Sequence, residues 1–311
     1  MNPVPSPRRR SARAFFGLAV KGFCMGAADV VPGVSGGTMA LILGIYEELL
    51  LAIRSFDAMF VRRLFVFRIR EAVRGVQWAF LATVGAGILC AVFSLARGLS
   101  WLLHHQPVLI WSFFFGLITA SVFMVSRRIA QWRPGTFAGL VFGAAGAYVL
   151  VGLTPVSTPE APWFLFLSGA VAICAMILPG ISGAFILVLM GKYLYVLDAV
   201  NNRDMFTLAL VAAGAVTGLA GFARFLGWLL RQYHDVTIAA LTGLMLGSLR
   251  KVWPWKLAAG DGAAESAGLS TVSPVNVLPS HWTPEVAWAL ALAVLGFLVV
   301  LGISMKAEKR P

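Results

Sequence analysis

The stretch VPGVSGG at residues 31–37 lies between two apolar runs, where its proline and three glycines interrupt any helix that crosses a membrane. A second copy, LPGISGA, occupies residues 178–184. Proline removes a backbone donor and glycine adopts conformations that other residues resist, so each copy predicts a break between two helical arms. The same break made twice in one chain indicates that it serves a function.

The composition places both breaks in a membrane protein. Of the 311 residues, 59% are hydrophobic and 12% are charged, and the mean hydropathy is +0.84. A soluble domain could not bury this much apolar surface, so we predict an all-α protein that crosses the membrane several times. The expected apolar segments are roughly 14–31, 34–53, 76–96, 108–126, 134–153, 162–178, 181–200, 206–230, 236–249 and 285–305.

The formal net charge of +12 has a topological explanation. On a polytopic membrane protein it indicates orientation and attraction to anionic lipid headgroups, rather than binding to nucleic acid. The basic and apolar residues 56–75 fit an interfacial helix on such lipids. His104 and His105 are adjacent and cannot share a helical face as metal ligands would, so we predict no metal and no other cofactor.

The two breaks belong to a longer repeat with a spacing of 147 residues. The coinciding pairs outside the breaks are Gly22 and Gly169, Ala28 and Ala175, Gly44 and Gly191, Tyr46 and Tyr193, and Leu50 and Leu197. Later, GLITAS (116–121) resembles GLMLGS (243–248). We therefore predict one membrane domain over 1–311 with repeats at 14–153 and 162–305, each a broken hairpin plus three transmembrane helices. Such repeats point to a transporter.

Positive charges predict the orientation. If the arms of each hairpin enter and leave on one face, one side of the membrane carries seventeen lysines and arginines and the other five. The richer side is cytoplasmic by the positive-inside rule, and it includes both termini and the 54–75 loop. Three spans separate the hairpins, so the hairpins open toward opposite faces and the repeat is inverted. Residues 256–283 then form a periplasmic linker.

The predicted binding site is formed by two tips: residues 31–38, the first tip, and residues 178–184, the second tip. The arm after each tip begins with unpaired N–H groups and a positive dipole end, which suits a phosphate or carboxylate. A buried anion site favours re-entrant hairpins over fully crossing arms, although both give an even number of crossings. The alternative is a tight turn or a packing seam. The predicted substrate ligands are Gly33, Ser35, Gly36, Gly37, Thr38, Gly180, Ser182 and Gly183.

Charged residues within or beside the apolar segments extend this prediction, because charges in a membrane are expensive and face a cavity or one another. Arg224 is predicted as a further phosphate ligand, and the alternative is that it reaches toward the cytoplasmic interface. Asp29 is a candidate for ion coupling, although capping of the broken helix explains it equally well. Glu47, His234 and Asp235 are further coupling candidates near the interface, where contact with solvent also explains them.

Three blocks resemble the polyprenyl-phosphate transporter family: KGFCMGAADVVPGVSGGTMALILGIYEELL (21–50), LPGISGAFILVLMGKY (178–193) and YHDVTIAALTGLMLGSLRKVWPW (233–255). The resemblance runs from about Lys21 to the end of the chain, and it departs from the family pattern at Glu48 and in the 256–283 linker. The residues that carry it are Lys21, Asp29, Pro32, Gly33, Ser35, Gly36, Gly37, Glu47, Pro179, Gly180, Ser182, Gly183, Arg224, His234 and Asp235.

The resemblance implies a bacterial inner-membrane flippase that returns undecaprenyl phosphate for cell-wall synthesis and is not an enzyme. Two alternatives stay open. One is an undecaprenyl-diphosphatase-like enzyme, although neither break motif contains the acidic residue or arginine that such an enzyme needs. The other is a transporter of a small soluble anion. The coupling ion and the formation of a homo-oligomer are left open.

Overall fold

The computed structural model describes residues 11–30, 35–56, 58–156, 158–257, 275–279 and 281–308. Over these ranges the chain is almost entirely helical, which confirms the predicted all-α class. The helices are α1 (Ala12–Asp29), α2 (Gly36–Ile42), α3 (Tyr46–Arg54), α4 (Ala58–Phe65), α5 (Ile69–Arg74), α6 (Trp78–His105), α7 (Pro107–Ser126), α8 (Pro134–Val151), α9 (Pro162–Ile177), α10 (Gly183–Leu189), α11 (Tyr193–Asn201), α12 (Met205–Gln232), α13 (His234–Val252) and α14 (Pro284–Glu308), and the strands are β1 (Lys256–Leu257) and β2 (Val275–Asn276).

Each predicted hairpin consists of a long helix followed by two short helices that are separated by a bend. α1 leads through the first tip to α2 and α3, and α9 leads through the second tip to α10 and α11. The axes of α2 and α3 differ by 118°, and those of α10 and α11 by 106°. Gly44 (φ +69°) and Gly191 (φ +62°) adopt the left-handed conformation at these bends, which ends the short helices.

The second arm of each hairpin therefore differs from the prediction of one continuous apolar segment. It is split into a seven-residue helix and a nine-residue helix. Hydropathy does not reveal the bend because apolar residues continue through it. The carbonyls at the bend find donors: Lys21 Nζ donates to Leu43 O at 2.8 Å, and the Thr158 hydroxyl donates to Met190 O, at the equivalent position of the second repeat.

Five of the described helices, α6, α7, α8, α12 and α14, are long and apolar enough to cross a membrane. The bent pairs α2–α3 and α10–α11 also pass this test, each pair taken together, which raises the total to seven. Bends of this size are compatible with a re-entrant hairpin and with a broken span. The inverted orientation of the repeats and the domain boundaries at 14–153 and 162–305 stay predictions.

Helix packing interlocks the two halves. α1 packs against α6 and α9 against α12 within the halves, whereas α7 packs against α14 and α8 against α13 between them. Glycines allow these close approaches, since a Cβ on Gly22 would collide with the backbone of Val84, and one on Gly169 with the backbone of Val211. α2, which follows the first tip, packs against α7 of the first half and α9 of the second, so the start of this arm has helices of both halves around it.

The two long connections carry structure of their own. Within the predicted interfacial segment, residues 58–74 contain two helices, α4 and α5, instead of one, because Phe67 takes a positive φ of 54° between them. The Phe67 side chain is 88% exposed, as expected for a side chain that contacts lipid. In the linker, β1 pairs with β2, and Trp253 Nε1 donates to Val277 O at 2.8 Å. The ribbon is thereby attached to the end of α13.

Candidate functional site

The described part of the first tip, residues 35–38, uses its N–H groups internally. Ser35 caps α2: its Oγ accepts from Gly37 N–H at 3.1 Å and its carbonyl accepts from Thr38 N–H at 2.9 Å. Asp29, at the end of α1, accepts the Gly36 N–H through Oδ1 at 2.6 Å. A carboxylate thus occupies the position where the sequence predicts a phosphate. Gly33 lies outside the described residues.

The expectation of unpaired N–H groups is therefore not met at residues 36–38. Unpaired donors in an apolar interior are costly, and Asp29 and Ser35 supply acceptors from the chain itself. The capping role considered for Asp29 is present in the structure. The predicted roles of Gly36, Gly37 and Thr38 as substrate ligands are untested, and for Gly36 such a role requires release of Asp29.

The second tip starts where proline ends α9. Leu178, the residue before Pro179, is extended with φ −69° and ψ 131°, as expected before a proline. Gly180 then takes the left-handed φ of +89°. A Cβ on Gly180 would lie 2.9 Å from Ser248 Oγ and 3.0 Å from Met245 Cα, so this tip packs directly on α13.

The second tip lacks the internal carboxylate of the first. The residue that corresponds to Asp29 at the 147-residue spacing is Met176. Ser182 begins α10 without a side-chain capping hydrogen bond and is half-buried. Gly183 is buried, and a Cβ there would lie 2.7 Å from Ala172 O. The two tips thus share the P-G-x-S-G pattern and differ in their caps: the Asp29 side chain occupies the first, and Ser182 makes no side-chain cap at the second.

Direct hydrogen bonds join the tips. Thr38 Oγ1 accepts the Gly180 N–H at 2.9 Å, and the Tyr46 hydroxyl donates to Ile177 O at 3.1 Å. Thr38 is 0% and Tyr46 2% exposed, so both bonds lie in the interior. The last carbonyls of a helix have no partner in their own helix. Tyr46 in the first half therefore satisfies the end of α9 in the second half.

Ser35 and Gly37 complete this junction. Ser35 Oγ lies 3.2 Å from Met176 O, a second carbonyl at the end of α9. Gly37 faces the same strip of backbone, since a Cβ there would lie 2.6 Å from Ile177 O and 3.2 Å from Met176 O. The absence of a side chain at Gly37 is what allows the tips to touch.

Arg224 lies beside the α3–α4 connection rather than within the hydrogen bonds of the tips. Its side chain is exposed, and Nη2 lies 3.5 Å from Phe56 O. Arg54 is a neighbour, because its Nη1 would lie 2.7 Å from a Cβ on Gly227, one turn along α12. The positive charges of Arg231 and Arg224 both act on Arg54. A phosphate held by Arg224 would therefore lie at this arginine cluster.

The other coupling candidates stabilise the ends of helices. Glu47 is exposed in the first turn of α3. Asp235 accepts the Gln131 N–H at 2.9 Å, and His234 Nδ1 lies 3.2 Å from the Asp235 carboxylate. These contacts attach the start of α13 to the α7–α8 connection. Coupling roles for Glu47, His234 and Asp235 stay predictions.

Sequence reasoning overlooked two residues near the tips. Tyr46 marked the repeat, but its counterpart Tyr193 is 40% exposed, so the repeat alone does not reveal the buried bond of Tyr46. Lys251 lies near the end of an apolar segment and was not among the predicted site residues. In the structure its ammonium lies 4.7 Å from the ring centroid of Phe185, in the first turn of α10. The signal available in the sequence was a lysine three residues after GLMLGS, within the block 233–255 that carries the family resemblance.

Comparison with known proteins extends over most of the chain. A family model described as undecaprenyl phosphate translocase-like matches residues 25–270. A polyprenyl-phosphate transporter of Vibrio cholerae is 43% identical over 300 residues, which is 93% of this chain and 96% of the relative. A polyprenyl-phosphate transporter of Staphylococcus aureus is 31% identical over 256 residues, which is 76% of this chain and 85% of the relative. No solved structure matches.

Proposed function

Because the chain belongs to the undecaprenyl phosphate translocase-like family, we propose that it is a flippase that moves undecaprenyl phosphate across the bacterial inner membrane. The observation that carries this proposal is the junction of two broken hairpins inside an apolar helical protein. Non-helical backbone at membrane depth is tolerated where protein buries it or where it lines a cavity. Discontinuous helices that meet at a repeat interface are the usual transporter arrangement.

In the proposed mechanism the phosphate headgroup replaces internal acceptors at the tips. The dianionic phosphate and the Asp29 carboxylate repel each other, so both cannot bind the Gly36 N–H at once. Protonation or displacement of Asp29 frees this donor, and the Ser182 hydroxyl adds a second one from the opposite tip. Once the tips separate, the lack of side chains at Gly37, Gly180 and Gly183 lets the headgroup approach the backbone.

Transport then requires the junction to open. The bonds between Thr38 and Gly180 and between Tyr46 and Ile177 join the halves. Rocking of one half against the other breaks them on one side of the headgroup and so alternates access between the leaflets. The arginine cluster of Arg54, Arg224 and Arg231 would receive the phosphate at the proposed cytoplasmic face. This scheme assigns no catalytic residue.

Reconstitution tests the function directly. Purified protein in liposomes is supplied with polyprenyl phosphate in one leaflet, with polyprenyl diphosphate in parallel, and with a gradient of inorganic phosphate in a third sample. We expect transfer of polyprenyl phosphate between leaflets without release of phosphate. Phosphate release from the diphosphate would instead indicate an enzyme, and movement of inorganic phosphate without lipid transfer would indicate a small-anion carrier.

Replacing Asp29 with asparagine tests proton coupling. The amide oxygen still accepts the Gly36 N–H, so we expect the fold and the melting temperature to persist. The amide cannot exchange a proton, so transport should no longer respond to an imposed proton gradient. Transport by Asp29→Asn that follows the gradient as in the unmodified protein would show that Asp29 is a cap. Asp29→Ala, which removes the acceptor, should lower the melting temperature.

Cysteine labelling tests the proposed orientation. The background is a variant with Cys24, Cys90 and Cys174 replaced by alanine. In it, a cysteine introduced as Arg68→Cys, in the connection between α4 and α5, should react with an impermeant maleimide in spheroplasts only after permeabilisation. Glu160→Cys, in the connection before α9, is the matched control and should react in intact spheroplasts. Reaction of position 68 in intact spheroplasts would overturn the cytoplasmic placement and the inverted arrangement.

A further inference from the structure

Lys251, near the end of α13, and Lys256, in β1, are two lysines whose positive charges act on one another, and Lys251 lies close to the start of α10. Lys251 is half-buried, and its ammonium lies 4.7 Å from the Phe185 ring centroid in α10. Ser248, one turn earlier on α13, is the residue against which Gly180 packs. Lys251 is therefore one helical turn from the second tip. Arg224, in contrast, lies in the arginine cluster with Arg54 and Arg231.

Lys256 shares this region. Its ammonium lies 4.9 Å from the ring centroid of Trp111 in α7 and donates to Lys251 O at 2.6 Å. The charge of Lys251 acts on it, so the two ammonium groups are electrostatic neighbours. Among the described residues no carboxylate lies within ion-pair distance of either lysine. Two partly desolvated cations that have no anionic partner in the described part of the chain are costly, and an anion between them would offset that cost.

A cavity with aromatic and polar walls lies beside the end of α13, the helix that carries Lys251. Its volume is about 460 Å³, and its walls include Phe115, Tyr148, Leu246, Trp253 and the charged side chain of Arg250. Phe115 lies one turn from Trp111 on α7, so the cavity begins next to the ring under Lys256. A cationic pair beside an aromatic cavity of this size suits an amphiphile with an anionic head and an apolar chain.

We propose that Lys251 and Lys256 bind the phosphate of the lipid substrate on the linker side of the second tip, before the headgroup reaches the tips. This site rests on the proposed function and deepens it, because it assigns the capture of the phosphate to the face opposite the arginine cluster. The shared chemistry is a phosphate monoester or free phosphate, and the adjoining cavity favours the lipid. Each lysine contributes a charge-assisted hydrogen bond to the phosphate.

The charge of Lys256 depends on pH in a useful range. Burial, with the neighbouring charge of Lys251, lowers the pKa of Lys256 from 10.5 to about 8. A bound phosphate raises that pKa again, so binding takes up a proton when the free ammonium is partly neutral. Phosphate affinity should thus be highest between about pH 6, above which the phosphate monoester is a dianion, and pH 8, and should fall as the pH rises through 8. Lys251 is the charged group that acts on Lys256 within the described ranges, and Trp111 on α7 is uncharged.

The test uses purified full-length protein and farnesyl phosphate, a short polyprenyl monophosphate, with binding measured by calorimetry. Lys251→Met and Lys256→Met each keep an apolar stem and remove the charge, so each should raise the Kd by about tenfold or more. Farnesol, which lacks the phosphate, should bind equally to all variants. Inorganic phosphate should compete weakly with farnesyl phosphate. The loss of affinity between pH 7 and pH 9 should shrink in Lys256→Met.

Two controls keep the proposal falsifiable. Lys192→Met removes a buried lysine that donates to Thr158 O at 2.9 Å, and it should change thermal stability without weakening farnesyl phosphate binding. Asp261 and Glu265 lie in linker residues outside the described ranges and are the alternative partners. We expect the Asp261→Asn, Glu265→Gln double variant to bind farnesyl phosphate as the unmodified protein does, and binding that is tighter by about tenfold or more would show that these carboxylates pair with the lysines and would overturn the proposal.

The outcomes separate this proposal from the proposed function. If the protein flips polyprenyl phosphate in liposomes and the Lys251→Met, Lys256→Met double variant binds farnesyl phosphate within about twofold of the unmodified protein, the lysine site is wrong and the flippase stands. If inorganic phosphate binds as tightly as farnesyl phosphate, the site holds free phosphate and not the lipid. If the unmodified protein does not flip polyprenyl phosphate, the proposed function itself fails.

Discussion

Valine in place of Gly37 is expected to abolish polyprenyl phosphate transport, because the contact between the two tips has no room for a side chain. A Cβ at this position would lie 2.6 Å from Ile177 O and 3.2 Å from Met176 O. These carbonyls belong to backbone and cannot turn aside as a flexible side chain would. Ile177 O is also held by Tyr46. Valine must therefore push α2 away from the end of α9.

Separation of the tips removes several bonds at once. The bonds of Thr38 to Gly180, Tyr46 to Ile177 and Ser35 to Met176 O all cross this contact. At about 1 kcal/mol for each bond, the loss amounts to roughly a hundredfold in the population of the joined state. We expect transport per folded molecule to fall by about that factor or more, with a lower melting temperature.

Gly221→Val is the matched control for Gly37→Val. Gly221 also lies in a helix, α12, and a Cβ there meets no heavy atom within 4 Å. The control carries the same intrinsic cost of a β-branched residue in a helix without a clash. Transport in liposomes and thermal unfolding should be measured for both variants. If Gly37→Val is as stable as Gly221→Val and transports at the same rate, the tips do not need to touch and the junction is no part of the mechanism.

Thr38→Val should impair both stability and transport, because it leaves a buried donor without an acceptor. Thr38 is 0% exposed, and its Oγ1 is the acceptor for the Gly180 N–H at 2.9 Å. Valine has nearly the same shape, so packing is kept while the hydrogen bond is lost. An unsatisfied buried N–H costs about 1–3 kcal/mol, so we expect a lower melting temperature and roughly a tenfold or greater loss of transport.

Thr242→Val isolates this effect from the general cost of replacing a buried threonine. Thr242 is 1% exposed, and its hydroxyl donates to Ile238 O in its own helix at 2.7 Å. That carbonyl lies inside α13 and also accepts a backbone N–H of the helix. Removing the hydroxyl therefore leaves no buried polar group without a hydrogen bond. We expect a change in transport of less than about twofold for Thr242→Val. Equal losses in the two valine variants would show that the Thr38–Gly180 bond has no special role.

The family and the all-α membrane class followed from the sequence because both depend on local chemistry that repeats. Apolar runs of spanning length predict membrane helices wherever they occur, and proline at 179 ends α9 regardless of its surroundings. The resemblance stated from three blocks is confirmed by the family match over residues 25–270. Asp29, placed three residues before Pro32, was correctly identified as a candidate cap.

The bends at Gly44 and Gly191 show where local chemistry stops being sufficient. Both glycines were visible in the repeat, but a glycine in an apolar run is compatible with a continuous helix and with a left-handed bend. The choice depends on whether the freed carbonyls find donors. Lys21 meets that need at Leu43, and Thr158 meets it at Met190. Thr158 lies thirty-two residues from its acceptor, and sequence does not show that contact.

Arg224 and Lys251 show the same limit for the candidate site. Sequence places an arginine inside one apolar segment and a lysine near the end of another, so the arginine was the natural phosphate ligand. Which neighbours each side chain meets depends on helix packing. Packing places Arg224 near Arg54, which contacts α12 at Gly227. It places Lys251 next to Phe185, beside the second tip. The tips themselves could be identified from sequence, since proline and glycine act on their own backbone. Which N–H groups remain available to a phosphate was decided by tertiary structure, because acceptors such as Asp29 and Thr38 reach them only after the chain has folded.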